Sequence, residues 1–178
     1  MQAQDPHWNW GSLVLQDRSV LQGELVVQQG FDIVLFRGAT GVLVYPAHRV
    51  SAVYYHDTHQ KVNRKFRSLS DGTTHKRHAL FEIVYYGDVL VLRRIVSAAA
   101  DPEDHANSYH YFVKYDDKLV SFKNFGSMVF GDLAQKCPSL SELVKEMRLS
   151  PNSREDIIAI VRLYTKLNSI YTEALSSM

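Results

Sequence analysis

The sequence predicts an α+β protein: a mainly antiparallel β barrel or roll of about ten short strands, followed by a C-terminal helical subdomain of three helices. Two observations predict it. Up to about Gly126, runs rich in Val, Tyr, Phe and Ile alternate at period two and are cut by turn dipeptides. Beyond it, apolar residues recur at helical spacing to the end. Strands grouped ahead of helices argue against alternating βαβ units. The expected division is residues 1–125 as the β domain, with halves 13–55 and 60–123, and residues 126–178 as the helical subdomain packed on it.

The elements follow in order. Trp8 and Trp10 are expected on one side of an extended segment, covering one end of the core. Leu13–Gln16 reads as a strand and Asp17-Arg18-Ser19 as its turn. In Val20–Gln28, Leu21, Gly23, Leu25 and Val27 share a face, and Gly23 suits a bend. Strands are expected at 31–37, 42–45 and 50–55, with one helical turn at Pro46–Arg49. Gln60–Leu69 is a polar strand, and Asp71-Gly72 a turn. Gly87-Asp88 predicts a two-residue hairpin between 80–86 and 89–96. Residues 98–107, polar and broken by Pro102, read as an exposed mobile loop. A last hairpin, 109–115 with 119–122, turns at Asp116-Asp117.

The helices are expected at 127–136, stopping before Pro138; after a capping box, Ser139-Leu140-Ser141-Glu142; and from Ser153 as N-cap onward. In the last, Ile157, Ile160, Val161, Tyr164, Leu167 and Tyr171 lie on one face.

Composition sets limits. A chain of 178 residues fits one domain, or two small ones, with a real core. A formal charge of +1 supplies no global field for nucleic acid or anionic membrane, so such binding needs a local patch. Cys137 stands alone, which excludes an internal disulfide and a multi-cysteine zinc site. No apolar run reaches the ~20 residues of a membrane helix. The start, Met1-Gln2-Ala3-Gln4-Asp5, has the small-polar character found around a signal-peptidase site. It reads either as a mature secreted chain behind an initiator Met or as an ordinary cytoplasmic N-terminus.

Two resemblances bear on the choice. Leu15–Leu25, Phe31–Leu35 and Pro46–Val53 together give a turn, a long strand with Gly23 at its bend, and a helical turn before a closing strand. On these residues, 13–55 resembles SH3-like and Sm-like small barrels. It departs from RNA-binding Sm proteins at Arg37-Gly38-Ala39-Thr40-Gly41, which lacks their loop Asp and Asn. Across the whole chain, Trp10-Gly11, the Gly-Glu-Leu strand, Pro46–Tyr55, Phe81–Leu92, Tyr109–Val113 and the spacing of Tyr164 and Asn168 resemble uncharacterised secreted proteins of Bacteroidetes bacteria. That resemblance implies a secreted or periplasmic location and no assigned activity.

Candidate chemistry is sparse. His56, Asp57 and His59 are metal-ligand types, but their spacing on a turn does not fix one ligand direction; the plain reading is a polar hairpin tip. His75-Lys76-Arg77-His78 with Lys61, Arg64, Lys65 and Arg67 is the densest basic cluster; Arg64 shares a strand face with Val62 and Phe66, and Lys61, Lys65, Arg67, Lys76 and Arg77 are the candidate ligand-binding residues. Beside Tyr54 and Tyr55 they suit phosphates and stacked bases, an acidic polysaccharide, or simply a solvated strand face. Glu82 stands among apolar neighbours and is expected to point outward. No nucleophile elbow or phosphate-binding Gly loop occurs, so no catalytic residue and no cofactor is assigned. The expected function is a non-catalytic secreted or envelope-associated binding or structural protein, its partner an envelope component, a polysaccharide or another protein. The alternatives are a nucleic-acid-binding small barrel and a metal-dependent hydrolase.

Overall fold

The computed structural model describes residues 7–70, 77–95 and 109–176, with side chains as far as Ile170. Asp71-Gly72, Lys76, the loop expected at 98–107 and the side chain of Tyr171 lie outside the described residues.

Among the described residues ten strands form: β1 (Asn9–Leu15), β2 (Val20–Gln28), β3 (Ile33–Gly38), β4 (Gly41–Pro46), β5 (Val50–Asp57), β6 (Val62–Ser70), β7 (His78–Tyr85), β8 (Leu90–Ile95), β9 (Tyr109–Tyr115) and β10 (Lys118–Ser121). They are hydrogen-bonded in the order β10-β9-β8-β7-β6-β5-β1-β2-β3-β4. Three helices follow: α1 (Gly131–Lys136), α2 (Pro138–Glu146) and α3 (Arg154–Ser176). The α+β class therefore holds, but the sheet is not a closed barrel. β5 takes β1 on one side and β6 on the other, so β4 has no free strand there to close against and stands at an end of the order.

The chain divides into two compact units, Met1–Ile83 with Arg93–Tyr109, and Val84–Leu92 with His110–Met178. In the first, β1 to β4 form a meander, the 3-10 turn Ala47–Arg49 follows, and β5 returns to pair with β1. Period-two alternation sends Leu13, Leu25, Val34, Val53, Phe66 and Leu80 into one core. Gly11 lies opposite Gly23 where backbones crowd. A Cβ on Gly11 would overlap the Tyr54 carbonyl oxygen, and one on Gly23 would come within 2.8 Å of Phe36 and 2.9 Å of the Arg37 carbonyl. Only glycine permits that approach. Trp10 does not cover the core: it is 68% exposed, on the outer face of β1. Trp8 instead lies under the Arg37 guanidinium, 4.0 Å from the ring centroid.

In the second unit, Val91, Val113 and Val120 from the strands and Val89 from the connection before β8 meet Phe125, Val129, Leu133, Leu140, Ile157 and Ile160 from the helical part. The first helix is in two pieces, a π-helical turn Gly126–Phe130 running into α1. The capping box does not form as read. Pro138 takes the first position of α2, where its fixed φ suits a helix start, and Ser139 falls inside the helix. Between β7 and β8 the connection runs from Tyr86 to Val89, longer than the hairpin expected at Gly87-Asp88, because Val89 is fully buried in this core. In α3, Glu155 and Asp156 occupy the first turn, and Ile157, Ile160, Val161 and Tyr164 are buried on one face.

Candidate ligand-binding cleft

The β5–β6 hairpin builds the polar end of the first unit. Asp57 closes its turn: carboxylate Oδ1 accepts the backbone N–H of His59 at 3.1 Å and of Gln60 at 2.9 Å. The other oxygen, Oδ2, accepts Arg64 Nε at 2.8 Å. Tyr55 and Arg64 are opposite each other in register, and so are Phe66 and Glu82 in the next pair of strands. All four side chains therefore fall on the core side. The Tyr55 ring stacks on Phe66, 5.8 Å apart and 8° from parallel.

Glu82 points inward, against the outward direction expected for it, and is 6% exposed. Burial is tolerated because two cations meet it. Arg64 Nη1 donates to Oε1 at 2.7 Å; Arg93 donates through Nε to Oε2 at 2.8 Å and through Nη2 to Oε1 at 3.1 Å. Arg93 also lies over the Tyr109 ring, 4.4 Å from its centroid. The result is a chain of alternating charge, Asp57–Arg64–Glu82–Arg93, drawn from β5, β6, β7 and β8. Two positive and two negative groups leave it neutral. Gln29 braces it from below, donating to the carbonyls of Leu80 and Arg93 at 3.2 and 3.3 Å.

Above this chain opens a cleft of 560 Å³, walled by Tyr55, Asp57, Gln60, Arg64, Arg93 and Tyr109, with His7, Asn9 and His59 among its other polar groups. Burial pushes the Tyr55 hydroxyl up, with Glu82 and Asp57 adding to the shift and Arg64 opposing it. It stays a neutral donor and acceptor at physiological pH. Burial also disfavours the Asp57 carboxylate, but the Gln60 amide and the Arg64 guanidinium outweigh it and hold the carboxyl below its ordinary value of 3.8.

That direction has a consequence in acid. A carboxyl lowered by folding stabilises the fold fully above its unfolded value, and the contribution disappears as pH falls through the folded one. Asp57→Asn is expected to reduce stability at neutral pH and to flatten the loss below about pH 4. Urea unfolding followed across that range checks it; an acid limb identical to that of the parent protein would contradict it.

No family model, curated protein or solved structure matches the chain. Site and function therefore rest on geometry.

The residues singled out in the sequence separate. Tyr55 enters the cleft, whereas its neighbour Tyr54 faces outward, 39% exposed and opposite Lys65 in register. Lys65 and Arg67 share that outer face of β6; Lys61 and Arg77 are exposed at its turn and before β7. His56 and Asp57 point to opposite sides of β5. His56 Nδ1 is 2.9 Å from Asn63 Oδ1, and the His59 ring lies 5.4 Å from that of His7. The structure does not bring the expected metal ligands together, and among the described residues no group of three His, Cys, Asp or Glu side chains converges for a metal. The sequence singles out no binding role for Glu82, Arg93 or Tyr109, and it offers Arg64 only as a member of the basic cluster. Their signal was present at Arg64, which shares a strand face with Phe66 and so points into the core.

Proposed function

We propose that this is a non-catalytic binding protein of secreted or envelope location, and that the cleft holds a hydroxyl-rich ligand, a saccharide. The observation that carries the reading is the cleft wall. Its charges are already matched in the chain from Asp57 to Arg93, so no ionic ligand is needed to balance them. What it offers is a set of planar groups that between them donate and accept: amides and two phenols that do both, carboxylates that accept and guanidinium edges that donate, with the Tyr55 and Tyr109 rings as apolar faces. A sugar ring presents the matching mixture of hydroxyls and C–H faces. Its volume falls within the range of small-molecule sites, ~300–1,000 Å³. The resemblance to secreted Bacteroidetes proteins supports the location.

Titration calorimetry against neutral oligosaccharides, acidic oligosaccharides and a single-stranded oligonucleotide tests this. A neutral oligosaccharide is expected to bind, with Tyr109→Ala weakening it about ten-fold, ~1.4 kcal/mol. No saccharide binding at millimolar concentration overturns the reading. A second reading draws on the outer face, where Trp10 and Tyr54 are exposed and Lys65 and Arg67 flank them. Stacked bases with phosphates on the lysine and arginine fit that surface. It predicts oligonucleotide binding that falls steeply with salt and is abolished by Lys65→Glu with Arg67→Glu.

A further inference from the structure

The two ends of the strand order are built differently. β10 is four residues long and opens on Lys118, a charge that discourages edge-to-edge pairing. β4 is six residues long and carries no charge at all: Gly41-Val42-Leu43-Val44-Tyr45-Pro46. Three consecutive side chains on it are open to solvent, Val42 at 51%, Leu43 at 45% and Val44 at 56%. Alternation puts Val42 and Val44 on one face and Leu43 on the other. Leu43 lies opposite the buried Phe36, so it belongs to the core face, and among the described residues no strand lies beyond β4 to cover it.

The backbone is as open as the side chains. Gly38 and Gly41 bracket a two-residue turn, Ala39-Thr40, and are register partners. In such a hairpin the bracketing pair is hydrogen-bonded, and bonded pairs recur at every second position. Phe36↔Leu43 and Val34↔Tyr45 are then bonded within the hairpin, and Val42 and Val44 direct their N–H and C=O groups to the empty side. None of the usual protections of an edge lies along this stretch; the one proline, Pro46, comes at its end.

We infer that β4 is a self-association edge, and that its occupant is β4 of a second copy of this chain, antiparallel about a two-fold axis at Leu43. Symmetry and charge select that occupant. In this register Val42 faces the partner's Val44 and Val44 the partner's Val42, so the two open residues of each copy exchange main-chain hydrogen bonds without calling on the missing N–H of Pro46. No like charges are apposed, because neither strand has any; the nearest charge on β3, Arg37, is held by Glu24 at 2.9 Å. Apolar surface is covered on both faces of the new pair. Pairing of β4 with β10 would set valines against Lys118 and propagate without closing, whereas the β4–β4 contact is isologous and stops at two.

Sedimentation velocity on the full chain, from about 1 to 200 µM, is expected to show a monomer–dimer equilibrium with a dissociation constant on the order of micromolar, as suits a small interface. Val44→Lys, which sets a charge in the seam twice per dimer, is expected to weaken it at least ten-fold. Val20→Lys, at a comparably exposed valine of β2, is expected to leave it unchanged. If Val44→Lys lowers the melting temperature as well, amide exchange on the parent protein decides: exchange at Val42 and Val44 slows with protein concentration if they are paired. A monomer at every concentration, assembly continuing past the dimer, a folded Val44→Lys variant that still dimerises, or concentration-independent exchange at both amides overturns the inference.

Discussion

Glu82→Ala is expected to destabilise the protein by about 3–5 kcal/mol, the cost typical of removing one partner from a buried ion pair. The chain from Asp57 to Arg93 makes this site dearer than a surface pair. Arg64 and Glu82 have side chains 9% and 8% exposed, so water does little to replace a lost partner. Without Glu82, Arg64 keeps only Asp57 and Gln60, and Arg93 keeps its place over Tyr109 but loses both carboxylate bonds. The expected contrast is the double replacement Arg64→Met with Glu82→Leu, which removes the two most buried charges together and fills the space with carbon, while Asp57 keeps its turn amides and Arg93 its place over Tyr109. It is expected to be markedly more stable than Glu82→Ala, because the penalty lies in the stranded cation more than in the lost attraction. Urea unfolding of Arg64→Met, Glu82→Leu and the double variant closes the cycle, with Glu82→Ala measured beside them. A cost below about 1 kcal/mol for Glu82→Ala would mean that the pair is solvated, as surface pairs are.

The same chain ties stability to the proposed function. Asp57, Arg64 and Arg93 line the cleft and Glu82 joins the two arginines, so the groups that would meet a sugar are held in place by each other. Gln60 shows the link directly: its amide oxygen accepts from Arg64 while its backbone N–H is fixed by Asp57. A ligand hydroxyl would meet oriented donors and acceptors instead of freely rotating ones.

What the sequence could reveal follows from the range of the interactions involved. The switch from period two to helical period near Gly126, the helical turn before β5 and the acidic start of α3 are set by neighbours in the chain, and each was legible. The openness of the sheet was not: it depends on β5 being flanked by both β1 and β6, a choice between partners far apart in sequence. The direction of Glu82 was missed for a related reason. Ala79, Leu80, Phe81 and Glu82 are all buried, so β7 is covered on both faces and its alternation carries no signal of inside and outside. Trp10 was placed by its hydrophobicity, yet strand parity puts it opposite Glu24 on the outer face. At α2, two valid local signals competed, and the proline at the first helical position prevailed over the Ser139–Glu142 box. For the site itself, half was readable. Tyr55 and Asp57 lay in the singled-out segment, whereas Arg93 and Tyr109 join it only through the strand order β7-β8-β9.

Phe125→Ala is expected to cost about 3–5 kcal/mol as well, by a different mechanism. Phe125 is fully buried where the chain leaves the strands for the π-helical turn, its ring 6.5 Å from that of Phe130 and within the core that holds Val129 and Leu133. Truncation removes its apolar burial and leaves a cavity that the surrounding helices close only in part. Phe125→Leu keeps much of the volume and is expected to cost less than half as much. Cys137 supplies a readout specific to this core. It is 1% exposed, belongs to the same cluster and is the chain's single cysteine, so thiol labelling under native conditions reports the opening of this unit. A loss of about 3 kcal/mol should raise the labelling rate by roughly 100-fold. A rate unchanged by Phe125→Ala would show that Cys137 is reached by local fraying at the junction of α1 and α2, without disturbing the packing around Phe125.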